Sequence, residues 1–120
     1  MSEKESGNIL DFETVALDDN DNSVIIIDQT KLPGKTEIIR LHTAQEIWEA
    51  IYLLKVRGAP AIGVAAAMGI YILARGIKET DFDSFYEEFT RQKEYLNSAR
   101  PTAVNLSWAL NRMDQVLSLI

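Results

Sequence analysis

Apolar positions along the 120-residue chain follow two periods, and the change falls near Leu41. Before it, they alternate or form short runs. Phe12, Val15 and Leu17 come first, then the β-branched run Val24 to Ile27. Thr36 to Leu41 follows, with Ile38 alternating with Arg40 and Ile39 with Leu41. A period of two is that of strands, whose successive side chains point to opposite faces. Asp18-Asp19-Asn20-Asp21-Asn22 is a dense turn signal that joins the first two runs as a hairpin. The cluster lacks the glycine and the distal glutamate of an EF-hand loop, so a turn is the better reading than a calcium site. Pro33-Gly34 punctuates the chain before the third strand.

Beyond Leu41 the period becomes 3.6. Thr43-Ala-Gln-Glu46 fits a capping box, with Ile47, Ala50, Ile51 and Leu54 as one apolar face. A second helix starts at Pro60 and runs to about Arg75, with Gly76 as its stop. Thr80-Asp-Phe-Asp83 caps a third helix carrying Phe82, Phe85, Tyr86 and Phe89. The last opens at Pro101 and carries Leu106, Leu110, Met113, Leu117 and Ile120 on one stripe. Strands followed by helices predict an α+β fold: a small N-terminal antiparallel sheet, then a bundle of about four helices. Residues 1–8 read as a disordered terminus and residues 9–120 as one domain. The last stripe ends on Ile120 without glycine, polar cap or tail. This predicts a chain truncated or continuing elsewhere, and a homo-oligomer formed through exposed apolar surface near that end.

Composition removes whole classes of function. Hydrophobic residues at 47% and charged ones at 25% are ordinary for a soluble domain. The absence of cysteine excludes disulfides, thiolate zinc sites and a cysteine nucleophile within this chain. His42 is the single histidine, an exposed loop residue by its setting, which leaves little for a metal centre or a Ser-His-Asp triad. The net charge is −6, but residues 1–30 hold eight acids against Lys4, or −7, leaving +1 for the remainder. That near-neutral body admits an anionic ligand, while the lack of a basic run argues against nucleic acid. The longest apolar run, Ala59 to Ala74, falls short of the roughly 20 residues of a membrane span and reads as a core helix. Met1 to Gly7 lacks the apolar stretch of a secretory signal, so a cytoplasmic location is expected.

Two segments carry candidate chemistry. Lys55-Val-Arg-Gly-Ala-Pro-Ala-Ile-Gly-Val-Ala-Ala-Ala-Met-Gly69 sets Arg57 and the unhindered backbone of Gly58 at a helix start, where free amides and the positive end of the dipole favour an anion. Equally, it reads as a tight turn into a close-packed helix, with Gly63, Ala66, Ala67 and Gly69 admitting neighbours. Arg100-Pro-Thr-Ala-Val-Asn105 repeats the arginine-before-proline arrangement, so Arg100 and Arg57 are expected to share one anion. Against that stands a surface Arg100 with Asn105 as a local cap. Trp48 and Trp108 read as core anchors, Glu87-Glu88 as a solvated face, and Asp28-Gln-Thr-Lys-Leu-Pro33 as a strand exit or a site wall.

Asp28-Gln-Thr-Lys-Leu-Pro33, Lys55-Val-Arg-Gly-Ala-Pro-Ala-Ile-Gly-Val-Ala-Ala-Ala67 and Arg100-Pro-Thr-Ala-Val-Asn-Leu-Ser-Trp-Ala-Leu-Asn-Arg-Met113 occur in the order found in methylthioribose-1-phosphate isomerases. The chain resembles that family from about Ser23 to Met113. The resemblance places it in a superfamily with ribose-1,5-bisphosphate isomerases and initiation factor 2B regulatory subunits. It implies aldose–ketose isomerisation of 5-methylthioribose-1-phosphate in methionine salvage, on the way to an amino acid. It also implies no metal or nucleotide cofactor, and a protein about three times this length. In such a protein, a small N-terminal domain packs on a Rossmann-like C-terminal one, typically in a homodimer. By the same resemblance Arg57, Gly58, Ala59 and Arg100 contact the sugar-phosphate substrate. The catalytic cysteine and aspartate lie in the C-terminal domain, so no catalytic residue falls in this chain and it is expected to be inactive alone. A ribose-1,5-bisphosphate isomerase domain and a non-catalytic initiation-factor-like interaction module are the alternatives.

Overall fold

The computed structural model describes residues 15–118. Phe12, the 1–8 terminus and Ile120 lie outside the described residues. Strands β1 (Val15–Asp18), β2 (Ser23–Ile27) and β3 (Ile38–Leu41) form an antiparallel sheet in that order. The acidic turn closes the hairpin: the Asp21 amide donates to Asp18 Oδ1 at 3.0 Å, and Asn22 takes a left-handed φ of 54° that asparagine tolerates. Val15 pairs with Ile26, and Val24 sits between Leu17 and Leu41, so one face collects these residues with Ile39. Val15, Val24, Ile26 and Leu41 are buried there against the helices. The third strand is shorter than its pattern predicts. Thr36 and Glu37 stay outside it, and the Glu37 carbonyl accepts from the Asp28 amide at 2.8 Å.

Four helices follow: α1 (Ala44–Tyr52), α2 (Ala59–Arg75), α3 (Phe82–Asn97) and α4 (Val104–Ser118). The capping box on α1 is formed. Thr43 Oγ1 accepts from the Glu46 amide at 3.1 Å, and Glu46 Oε1 accepts from the Thr43 amide at 3.2 Å. Ile47, Ala50 and Ile51 are buried, whereas Leu54 lies beyond the helix at φ 61°. Helix α2 crosses the middle of the fold and contacts β1, β2 and the other three helices. At Gly69 a Cβ would lie 3.0 Å from Ile47 Cγ2, so the missing side chain is what lets α1 and α2 approach. Asp81 caps α3 through the Ser84 amide, at 2.9 Å. Phe89 and Leu96 face inward, but Phe82 is exposed.

Three expectations need correction. Helix α4 opens at Val104 rather than Pro101. The Ala103 amide closes a turn on the Arg100 carbonyl at 2.9 Å, and the first helical bond runs from Ser107 to Ala103. Trp108 is 66% exposed rather than a core anchor, because it lies two residues, about 200° of helix, from the buried Leu106 and Leu110. Glu88 is half-buried, accepting from Arg91 and Gln92, while Glu87 alone is the solvated member of the pair. Trp48 is half-buried, stacks on Tyr52 with centroids 4.8 Å apart, and donates to Ser98 Oγ at 2.9 Å. No helix among the described residues is long and apolar enough to cross a membrane.

A polar clamp joins α3 to α4. Asp114 accepts from the Tyr86 hydroxyl and the Lys93 ammonium, both at 2.6 Å. Burial pushes its carboxyl up, but Lys93 and Tyr86 outweigh burial and hold it below the ordinary value. A carboxyl lowered in the folded state contributes stability above its unfolded value of about 3.9, and loses it as pH falls from there through the folded value. Asp114→Asn should therefore cost roughly 1–2 kcal/mol at neutral pH and flatten the acid limb of stability. Urea unfolding between neutral and strongly acid pH checks this; an acid limb as steep as the parent's would refute it.

Candidate functional site

The end of α1 is where the three motif segments meet. A helix leaves its last carbonyls without intrahelical donors. Here they are met partly by the adjoining turn, whose Leu54 amide donates to the Ile51 carbonyl at 3.3 Å, and partly by a side chain far along the chain. Arg100 Nε donates to the Ile51 carbonyl at 3.2 Å, and one of its terminal nitrogens donates to the Tyr52 carbonyl at 2.9 Å. The Lys55 and Val56 amides return to the Ala50 carbonyl at 2.9 and 3.3 Å, folding the chain back through the left-handed Leu54 and burying Val56. The Lys55 carbonyl then accepts from the Gln29 amide at 2.9 Å. This ties the Asp28-to-Pro33 segment to the same turn.

Asp28 is buried and caps the 3-10 turn Gln29–Lys31, accepting from the Thr30 amide at 2.9 Å and the Thr30 hydroxyl at 2.5 Å. Burial pushes its carboxyl up. The two Thr30 bonds, with the charges of Lys55 and Lys31, outweigh this and keep it low. Asp28 is thus a buried anchor of the motif loop rather than an open wall.

From this anchored turn the chain emerges as Arg57, Gly58, Ala59 and Pro60, all exposed. Gly58 is the N-cap of α2 at φ 96°, a conformation that favours glycine, and nothing lies within 4 Å of where its Cβ would be. No side chain caps α2; its first helical bond runs from Ile62 to Gly58, so the amides of Ala59 and Ala61 stay open. Arg57 has no hydrogen bond or ion pair among the described residues. The result is an open anion-favouring helix start with a free guanidinium beside it.

Arg100 reaches the turn that precedes Arg57, but its guanidinium is engaged by the α1 carbonyls. Two free arginines facing one anion is therefore not the arrangement seen. The capping role of Arg100 had no local signal, because its acceptors lie 48 and 49 residues upstream. Asn105 sits in the first turn of α4, exposed. His42 is exposed and its Nε2 lies 2.7 Å from Asp21 Oδ2, on the hairpin. No cluster of three or more His, Cys, Asp or Glu among the described residues suits a metal ion.

Residues 55–119 match the Initiation factor 2 subunit family. A methylthioribose-1-phosphate isomerase of Symbiobacterium thermophilum is 57% identical over 106 residues, covering 88% of this chain and 30% of that protein. A 5-deoxyribose 1-phosphate isomerase of Moorella thermoacetica is 51% identical over 98 residues, covering 82% and 28%. Among solved structures, the 5-methylthioribose 1-phosphate isomerase of Pyrococcus horikoshii superposes with a TM-score of 0.82 at 39% identity, covering 88% and 29%. The delta subunit of translation initiation factor eIF-2B from A. fulgidus gives 0.78 at 40%, covering 88% and 30%. The chain spans about 30% of the length of the curated relatives it matches.

The two arginines differ in what they hold, and stability should separate them. Arg100→Ala removes the side-chain donors to two α1 carbonyls, of which Ile51 keeps the Leu54 amide at 3.3 Å, and should cost roughly 1–2 kcal/mol. Arg57→Ala removes a partnerless exposed side chain and should stay within about 0.5 kcal/mol of the parent. Chemical unfolding of both variants tests this. Equal losses would overturn the distinction.

Proposed function

This chain belongs to the initiation factor 2 subunit family, and we propose that it forms the N-terminal, substrate-holding domain (residues 9–120) of a cytoplasmic methylthioribose-1-phosphate isomerase. The observation that carries the reading is the open start of α2: the exposed Arg57 and Ala59 and the half-buried Ala61, whose two alanine amides have no partner among the described residues, stand beside an unobstructed Gly58, on a turn fixed by all three motif segments. A phosphate monoester matches that arrangement in charge and in acceptor number. Arg57, Gly58 and Ala59 hold the phosphate. Arg100 keeps the turn in place through α1, with its outer edge near the ligand.

The reaction moves hydrogen from C2 of the sugar to C1, breaks the ring C1–O4 bond and passes the 2-hydroxyl proton to O4, so that C2 becomes the carbonyl of open-chain 5-methylthioribulose-1-phosphate. Phosphate on the anomeric oxygen prevents simple opening to an aldehyde, so the protein must hold the ring while proton or hydride moves. In this reading the acid, base and nucleophile come from the part of the longer protein outside this chain, whose own part is binding and orientation. The two relatives' names share a pentose 1-phosphate without a free 5-hydroxyl, which fits a site that reads the phosphate strongly from this side. A 1,5-bisphosphate would need a second cationic site. Likeness to the eIF-2B subunit supports an interaction module instead, and because Arg100 has a structural duty, the free Arg57 is what favours the isomerase.

In a longer protein carrying this domain, Arg57→Ala should lower kcat/KM for methylthioribose-1-phosphate about tenfold or more without altering stability, as loss of one charge-assisted contact implies. The 120-residue chain alone should give no turnover. Unchanged kcat/KM in the variant, or measurable turnover by the short chain, would sink the proposal.

A further inference from the structure

Asp28, 2% exposed, is the one buried charged residue among the described residues. A buried charge is costly unless it is hydrogen-bonded, and a negative one near an anion site also opposes the ligand. Both its side-chain bonds go to Thr30, at 2.9 Å from the amide and 2.5 Å from the hydroxyl. They close the 3-10 turn Gln29–Lys31, which the Lys31 amide closes again on the Asp28 carbonyl at 3.2 Å. The turn's main-chain links outward are two consecutive amides. That of Asp28 reaches the Glu37 carbonyl at 2.8 Å, on the way into β3, and that of Gln29 reaches the Lys55 carbonyl at 2.9 Å.

The second link bears on the start of α2. Residues 53–58 lie between two helices, and among the described residues their other main-chain bonds go only to those helices: to Glu49, Ala50 and Ile51 on one side, and from Ile62 on the other. The Gln29 amide is the one main-chain group from elsewhere in the chain that holds this stretch. It takes the carbonyl of Lys55, two residues before Arg57 and three before Gly58, which sits at φ 96° with no side-chain cap to fix the helix start. The aim of that amide is set by the 3-10 turn, and the turn is set by the Asp28 carboxylate on Thr30. We propose that Asp28 is a positioning residue of the anion site, acting through Thr30, the Gln29 amide and the Lys55 carbonyl to set the course of the chain into Arg57 and Gly58. This role rests on the proposed phosphate site at the start of α2.

Titration of the 120-residue chain with inorganic phosphate, followed through its amide resonances by NMR, tests the role. In the parent, phosphate should shift the Gly58, Ala59 and Ala61 amides, and Arg57→Ala should weaken that response. Asp28→Asn removes a negative charge, which by itself would tighten phosphate binding. Positioning predicts the reverse, a Kd raised roughly 3- to 10-fold, because a turn held part of the time binds in proportion to its held fraction. Helical circular dichroism should stay unchanged, since a lower stability alone leaves the Kd of the folded chain where it was. Thr30 is exposed, so Thr30→Val strips one donor without opening the core and decides the matter if Asp28→Asn fails to fold. It should raise the Kd roughly 2- to 10-fold, while Thr30→Ser, which keeps the hydroxyl, should match the parent. Parent amides unmoved by phosphate would overturn the phosphate site and the positioning role together. A parent that binds phosphate, with Asp28→Asn binding as tightly or more tightly, or with Thr30→Val and Thr30→Ser alike, would leave the site standing and overturn the role of Asp28.

Discussion

The carbonyls at the end of α1 are the constraint on which the rest of the motif region depends. Ile51 is buried, so a bare peptide oxygen beside it would carry a desolvation cost of about 1–3 kcal/mol. The chain answers with one cationic fork from the α3–α4 junction and three amides from the turn itself, Leu54 onto Ile51 and Lys55 and Val56 onto Ala50. Once those donors are in place, Leu54 takes its left-handed conformation, Val56 is buried, and Lys55 presents its carbonyl to Gln29. Segments far apart in the chain converge because one helix end must be satisfied. The exposed Arg57–Pro60 stretch is what emerges from that satisfied knot.

What could be read from the sequence follows the range of the interactions. The Thr43–Glu46 box, the Asp81 cap, the hairpin at Asp18–Asn22 and the stop at Gly76 are each closed within a few residues, and each is where the pattern puts it. The fold class is equally local in origin, since it rests on a change of period at Leu41. The failures are nonlocal or rotational. Pro101 is a good first helical residue, but the Ala103–Arg100 bond gives it to a turn. Trp108 carries the composition of a core residue at a helix angle opposite Leu106. The role of Arg100 depended on acceptors nearly 50 residues upstream, and no window of pattern reaches that far.

The site divides along the same line. The proposed anion site at Arg57, Gly58 and Ala59 rests on features the sequence carries locally, because helix-start physics needs only the nearby chain: open amides, an unhindered backbone, a cation nearby. Gly58 holds φ 96° with nothing within 4 Å of where a Cβ would lie, so its backbone conformation rather than close packing is what favours glycine there. Gly69 is the contrasting case, where the absent side chain is filled by Ile47.

The paired arginines show why a motif match is not yet a role. Both carry the same fork and both precede a proline, yet one spends its donors on main-chain carbonyls and the other spends none. A guanidinium that caps a helix is fixed in direction, and its remaining N–H edge is aimed by the fold before any ligand arrives. A free one keeps its rotamer entropy, up to about 2 kcal/mol, and surrenders part of it on binding. On the proposed function, an anion at this helix start would gain its orientation from the turn that Arg100 holds and its charge pairing from Arg57. On that proposal, binding strength and binding geometry rest with different residues, so that each should be alterable with the other left standing.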